Sequence, residues 1–232
     1  MTTQEFSNQF DTLISAYLTR LEFGITDVMA FDEYEKSVFL TDAQEEIVIE
    51  LYSGKNSFGD SFEKTEETRR IINELIKTYT TEEKINNQLG ISKDSVFFEI
   101  PKDVWFITYE SVTLNDEGLG CLSGEEVIVS PITQDDFDKV KDNPFRGPSK
   151  KRVLRLDNEN SIIEIVSKYN IDRYLIRYLA QPNPIILIDL PDSLSINGVS
   201  IKTECELNPV IHRIILERAV RKAIASRIPA GK

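Results

Sequence analysis

Residues 131–156 read P-I-T-Q-D-D-F-D-K-V-K-D-N-P-F-R-G-P-S-K-K-R-V-L-R-L. This stretch holds a helix, an arm and a strand in succession. Thr133 can cap a short acidic helix, with Asp135 and Asp136 in the first turn, where the helix dipole favours negative charge. Asn143-Pro144 ends that helix, because the residue before a proline is pushed out of the α region. Pro148 keeps a second helix from starting at once. Residues 150–156 then read as a strand entered through a basic patch. Between the two prolines Phe145 stands beside Arg146. A chain does not need such an arm to close its own core; it is the kind of loop that reaches a neighbour.

Strand patterns surround this stretch. Val96, Phe98 and Ile100 alternate on one face, and Val104, Phe106, Thr108, Glu110, Val112 and Leu114 alternate with Trp105, Ile107 and Tyr109. Pro101-Lys102-Asp103 is a turn between them. Further strands are expected at 126–132, 153–156, 161–166, 172–180 and 185–190, with Asn197-Gly198 as a tight turn.

Helical signals lie at both ends. In residues 4–22, Phe6, Phe10, Leu13, Ile14, Tyr17, Leu18 and Leu21 recur at helical spacing, and Gly24 ends the run. Residues 29–40 read as a linker. Thr41-Asp42-Ala43-Gln44 reads as a capping box opening a helix that buries Ile47, Val48 and Leu51 and stops near Ser53-Gly54. A third helix is expected over 61–78. Asn208-Pro209 opens the last one, with Ile211, Ile214, Ile215, Ala219, Val220, Ala223 and Ile224 as its apolar stripe.

The fold expected is α+β: N-terminal helices and a C-terminal helix packed together, with a mostly antiparallel sheet. It is read as one unit, with a helical layer over 1–94, a β-rich region over 95–206 carrying the basic arm 142–152, and the terminal helix over 207–232. The first residues, M-T-T-Q-E-F-S-N, lack the basic and apolar regions of a signal peptide, so no leader is expected. No apolar run approaches the ~20 residues that span a bilayer. Cys121 and Cys205 are far apart and read as reduced structural thiols.

The formal net charge of -12 argues against wrapping nucleic acid with the whole surface. It is unevenly placed: residues 1–100 hold 20 acidic and 9 basic residues, the remainder 19 and 18. One copy's acidic part could therefore steer toward another's basic part, although a solvated acidic face explains the same numbers.

Enzyme signatures are missing: the chain has no phosphate-binding G-x-x-x-x-G-K-[ST], no G-x-G-x-x-G and no H-E-x-x-H. His212 is the sole histidine and reads as a surface or interface residue. Glu125-Glu126 and Asp135-Asp136 could pair as acid and base, but carboxylate neighbours are common in an acidic chain. Trp105, Phe106 and Tyr109 could stack on bases; pairing within a sheet explains them more simply. Two features resist an internal reading. Asn143, Pro144, Phe145, Arg146, Lys150, Lys151 and Arg152 form the arm, with the residue types enriched at interface hot spots. Arg213, Arg218 and Arg221 make the terminal helix cationic, and the helix dipole accounts for Arg221 but not for the other two.

Four segments carry a resemblance: P-I-T-x-D-x-F…N-P-F-R-x-P…R-V-L-R-L within 131–156; E-Y-E-K-S-V-F-L-T-D-A-Q-E-E-I-V at 33–48; R-Y-L-A-Q-P-N-P-I-I-L at 177–187; and N-P-V-I-H-R-I-I-L-E-R-A-V at 208–220. In this order they resemble the ring, or head-to-tail connector (adaptor), proteins of tailed bacteriophages, above all crAss-like phages of podovirus form. The resemblance implies a structural virion protein of the neck or tail, assembled in the host bacterial cytoplasm. It implies a homo-oligomeric ring, a dodecamer, with portal, adjoining ring or tail proteins as partners and DNA passing through the lumen. No catalysis, cofactor, metal or membrane is implied. The arm residues and the three arginines would then be protein–protein contacts. Two other classes compete: a small metal-dependent hydrolase or nucleotide-modifying enzyme using unpaired carboxylates, and a DNA-binding regulator using the basic terminal helix.

Overall fold

The computed structural model describes residues 1–20, 30–54, 66–85, 89–159, 161–191 and 193–227. Met1–Leu75 and Gln181–Lys232 make one compact unit; Ile76–Ala180 make another.

The first unit is helical. Helix α1 (Thr3–Arg20) buries Phe6, Phe10 and Ile14, four residues apart, as its spacing predicts; Leu21 and Gly24 lie outside the described residues. Helix α2 (Glu33–Ser53) overturns the linker reading. Its cap is Asp32, whose Oδ1 accepts from Glu35 N at 2.7 Å while Glu35 Oε2 accepts from Asp32 N at 3.1 Å. The helix therefore starts eight residues before Thr41, and ends where expected, at a left-handed Gly54. Thr41 and Gln44 are buried in its middle and hold another segment. Thr41 Oγ1 accepts from Ile185 N at 3.1 Å, Gln44 Nε2 donates to Asn183 O at 2.8 Å, and Ser37 Oγ accepts from Leu187 N at 3.0 Å. Buried backbone groups must find partners. Here helix side chains supply them, so residues 185–190 are no strand and contribute a single bridge, Ile186 to Thr203.

Helix α5 (His212–Arg227) follows a short 3₁₀ turn, Pro209–Ile211, capped by Asn208 Oδ1 accepting from Val210 N at 3.1 Å. It packs on α1 and α2, as expected, burying Ile215, Leu216, Ala219, Val220, Ala223 and Ile224. Ile214 leaves the predicted stripe and is half exposed, and Leu216 takes its place. Ion pairs run along the α2–α5 seam: Arg218 to Glu50 and Lys222 to Glu46, each at 2.7 Å. Arg227 closes it, pairing with Glu35 at 2.9 Å and lying 4.5 Å over the Phe31 ring. Helix α3 (Glu66–Ile72) ends in a 3₁₀ turn at Leu75. The helix expected over 61–78 is thus shorter at its end, its first residues, Phe62 among them, lie outside the described residues, and I-K-T-Y-T-T opens a strand, as its β-branched residues favour.

The second unit is one seven-stranded sheet in the order β1-β7-β3-β4-β5-β6-β2. Its strands are β1 (Ile76–Thr81), β2 (Ser95–Glu99), β3 (Val104–Leu114), β4 (Glu126–Pro131), β5 (Arg152–Asp157), β6 (Ile162–Val166) and β7 (Ile171–Ala180). Every pairing is antiparallel except β4 with β5. A parallel pair needs a crossover, and residues 132–151 are that crossover: helix α4 (Gln134–Val140), then the arm. Phe137 and Val140 cover one face of the sheet over Leu154, Leu156 and Val166. The main core lies on the other face, where Phe98 of β2 stacks on Tyr174 of β7 at 5.5 Å. Irregularities in β3 at 104/106, 107/109 and 113/114 break the predicted alternation: Val104 and Ile107 both pack on this core, and Trp105 stacks on its neighbour Phe106 at 5.2 Å.

Candidate protein–protein interface

The arm is a closed loop held by its own hydrogen bonds. Asn143 Oδ1 accepts from Phe145 N at 2.8 Å and Arg146 N at 3.1 Å, and Asn143 O accepts from Gly147 N at 2.7 Å. Gly147 is required by space. A Cβ there would lie 2.7 Å from the carbonyl oxygens of Asn143 and Val140 and 2.8 Å from that of Lys141. Pro148 is buried beside it. Ser149 and Arg152 exchange backbone bonds of 2.8 and 3.3 Å, and the Arg152 guanidinium donates to the carbonyl of Phe145. Lys150 Nζ reaches Gly118 O at 3.4 Å. What this loop presents is Phe145, 84% exposed, on the same short arm as the exposed Arg146, Lys150 and Lys151. Fixing the backbone that carries a large aromatic before binding removes part of the entropic cost of association.

Ile128 is a second exposed apolar group in the same unit. It is 66% exposed on β4 and in register with Arg152 on β5, the residue that grips the arm. Its exposure could not be read from the apolar run E-V-I-V, whose alternate residues Val127 and Val129 are core.

The arginines of α5 divide. Arg213 and Arg221 are exposed and share Glu217, at 3.1 and 3.8 Å, on a face with exposed Val210 and Ile214. Arg218 reaches Glu50 and Glu46 on α2, an intramolecular partnership that accounts for a cation left unexplained by the helix dipole.

His212 corrects the surface reading. It is buried, its ring packs 5.5 Å from that of Phe6, Nε2 donates to Leu207 O at 2.7 Å, and the Met1 nitrogen lies 2.6 Å from Nδ1. Burial holds the imidazole below its usual range. Asp136 pairs with Lys139 at 2.9 Å and Glu126 with Arg173 at 3.3 Å. Burial pushes the Cys205 thiol up to about 11, and its Sγ donates to Gln44 Oε1 at 3.1 Å. Among the described residues no cluster of three or more His, Cys, Asp or Glu is arranged to hold a metal, and no helix is long and apolar enough to cross a membrane.

The arrangement leaves apolar and basic side chains exposed, and comparisons with known proteins give them a context. The family model described as "Phage tail ring protein 3/4" matches residues 1–231. Ring protein 3 of Bacteroides phage crAss001 is 60% identical over 228 residues, covering 98% of this chain and 96% of the relative. Ring protein 4/5 of the same phage is 33% identical over 238 residues, covering 97% and 93%. The class is therefore that of the ring proteins, structural components of the phage virion. Within that class, the chain belongs to the phage tail ring protein 3/4 family.

Proposed function

We propose that this protein is a non-enzymatic subunit of a closed ring in the phage neck or tail. Copies join through the arm, and the ring links the portal to the tail. The observation that carries the reading is Phe145, 84% exposed at the tip of an arm locked by its own backbone and by Arg152. An exposed aromatic costs solubility unless another surface covers it, and a closed ring supplies one at every subunit. The resemblance to head-to-tail connectors adds the dodecameric count, assembly in the host cytoplasm and passage of DNA through the lumen. A net charge of -12 suits such a channel, since few counterions would be released on contact. The exposed face of α5, with Arg213 and Arg221, is then free to meet an adjoining ring or the portal.

Electron cryomicroscopy of the intact particle tests this. The expected map shows a ring of this chain, each Phe145 within van der Waals contact of another chain. A map in which every Phe145 faces solvent or its own subunit overturns the reading.

A further inference from the structure

We infer that the arm of one copy docks on an acidic apolar ladder of the next copy, formed by Ile188 and Ile201. This rests on the ring reading above and names the mate of the arm. A head-to-tail ring needs two different complementary patches on each subunit, so the mate must be apolar at its centre and negative at its rim.

Exposed apolar groups narrow the choice. Val210, in the turn before α5, and Ile214 on α5 stand near Arg213 and Arg221, so a cationic arm is repelled there. Ile49 on α2 has Glu46 and Glu50 as neighbours, but those carboxylates already hold Lys222 and Arg218. Ile128 adjoins the arm itself. Leu89, Ile91 and Tyr109 are exposed too, on the arm's own unit, and Leu194 less so; Ile188 and Ile201, 49% and 67% exposed, are the pair that lies in segments rich in exposed carboxylates.

The backbone brings these two together. The Ile186–Thr203 bridge lies on one side of them, Leu190 N donates to Ser200 O at 2.7 Å on the other, and Lys202 N donates to Asp189 Oδ1 at 2.7 Å between. Beneath the ladder Ile186, Leu190 and Ile196 pack on Tyr34 and Val38 of α2, so the platform is rigid. Within the described residues of the two segments that carry it, 185–190 and 200–206, Asp189, Glu204 and Glu206 are exposed, with Lys202 as the one cation. Glu206 also accepts from Asn183 Nδ2, at 2.5 Å, which fixes its carboxylate at the rim. The arm offers the reverse: one aromatic with Arg146, Lys150 and Lys151 beside it. Phe145 would lie across the two isoleucines, with its cations facing those carboxylates.

The test uses the full chain with photoreactive p-benzoylphenylalanine at position 145, which keeps the aromatic ring. The protein is irradiated under assembly conditions and the cross-linked peptides are identified by mass spectrometry. The expected result is a covalent dimer in which position 145 of one copy is joined to the 185–203 segment of another. In parallel, Lys150→Glu/Lys151→Glu and Glu204→Lys/Glu206→Lys should each raise the concentration needed for ring formation at least tenfold, and the quadruple variant should recover most of the loss. Rings whose cross-links at 145 fall elsewhere, without recovery, overturn the docking and leave the ring reading standing. Absence of any oligomer from the unmodified chain, with no contact between copies in the particle, removes both.

Discussion

Arg152, the first residue of β5, donates from Nη1 to the carbonyl oxygen of Phe145, seven residues earlier. The strand thereby holds the tip of the loop that precedes it, and the aromatic is aimed by a residue already fixed in the sheet. Shape and contact are separable in such a design. Phe145→Ala removes only exposed atoms, so stability should stay within about 0.5 kcal/mol while assembly fails. Gly147→Ala forces a Cβ onto three carbonyl oxygens, so it should cost roughly 1–3 kcal/mol, the usual cost of overpacking. Urea titration and light scattering on the same samples separate the two effects.

The start of α2 gives a second test. Asp32→Ala removes one half of the capping box and should cost about 1 kcal/mol. Thr41→Val keeps the shape but takes the acceptor from Ile185 N, leaving a buried N–H unpaired. That should cost about 1–3 kcal/mol. A helix beginning at Thr41 would show no loss for Asp32→Ala in denaturant unfolding.

In the sheet, Glu110 and Arg155 are both nearly buried, 3.6 Å apart, with Tyr174 donating to Glu110 at 3.0 Å. Burial, ahead of the opposing pull of Arg155, pushes the Glu110 carboxyl above its usual range, and Arg155 Nε and Nη1 find no hydrogen-bond partner. Arg155→Leu alone should cost about 3–5 kcal/mol by stranding a buried charge. The Glu110→Leu/Arg155→Leu pair should recover most of that loss, because an imperfect buried pair barely exceeds its own desolvation. A double-mutant cycle in urea measures the coupling.

His212 predicts a pH dependence. Burial lowers its folded pKa beneath the unfolded value, helped by the Met1 nitrogen and opposed by the Leu207 carbonyl and Glu74. The unfolded chain then takes up the proton first, so stability is complete above the ordinary value of 6.5 and falls as pH drops through it toward the folded pKa. The unfolding midpoint should decline between pH 7.5 and 5 more in the unmodified protein than in His212→Gln. Equal slopes for the two would refute the assignment.

How far these features were open to reading follows the reach of their causes. The left-handed stop at Gly54, the cap at Asn208-Pro209 and the Asn197-Gly198 turn, with φ of 50° and 79°, involve neighbours only and were all recognisable. The extent of the arm was also readable, because prolines restrict their own and the preceding dihedrals. The need for glycine at 147 was not, since the carbonyls that crowd it converge only once α4 has formed. Ile128 and Ile201 were likewise invisible as surface groups, because apolar spacing does not say which apolar side chain stays uncovered.

By itself, then, the sequence determined the α+β class, the amphipathic helices at both ends and an arm with an aromatic tip, because each depends on dihedral limits and periodicity within a few residues. Tertiary structure alone decided that Thr41 and Gln44 are mid-helix clamps, that residues 185–190 leave the sheet, that His212 is buried and that Arg218 serves α2. The partners in those cases lie up to 211 positions away, as for His212 and Met1, or become neighbours only when helices pack. Unpaired buried groups are costly enough that the chain settles where such distant partners meet.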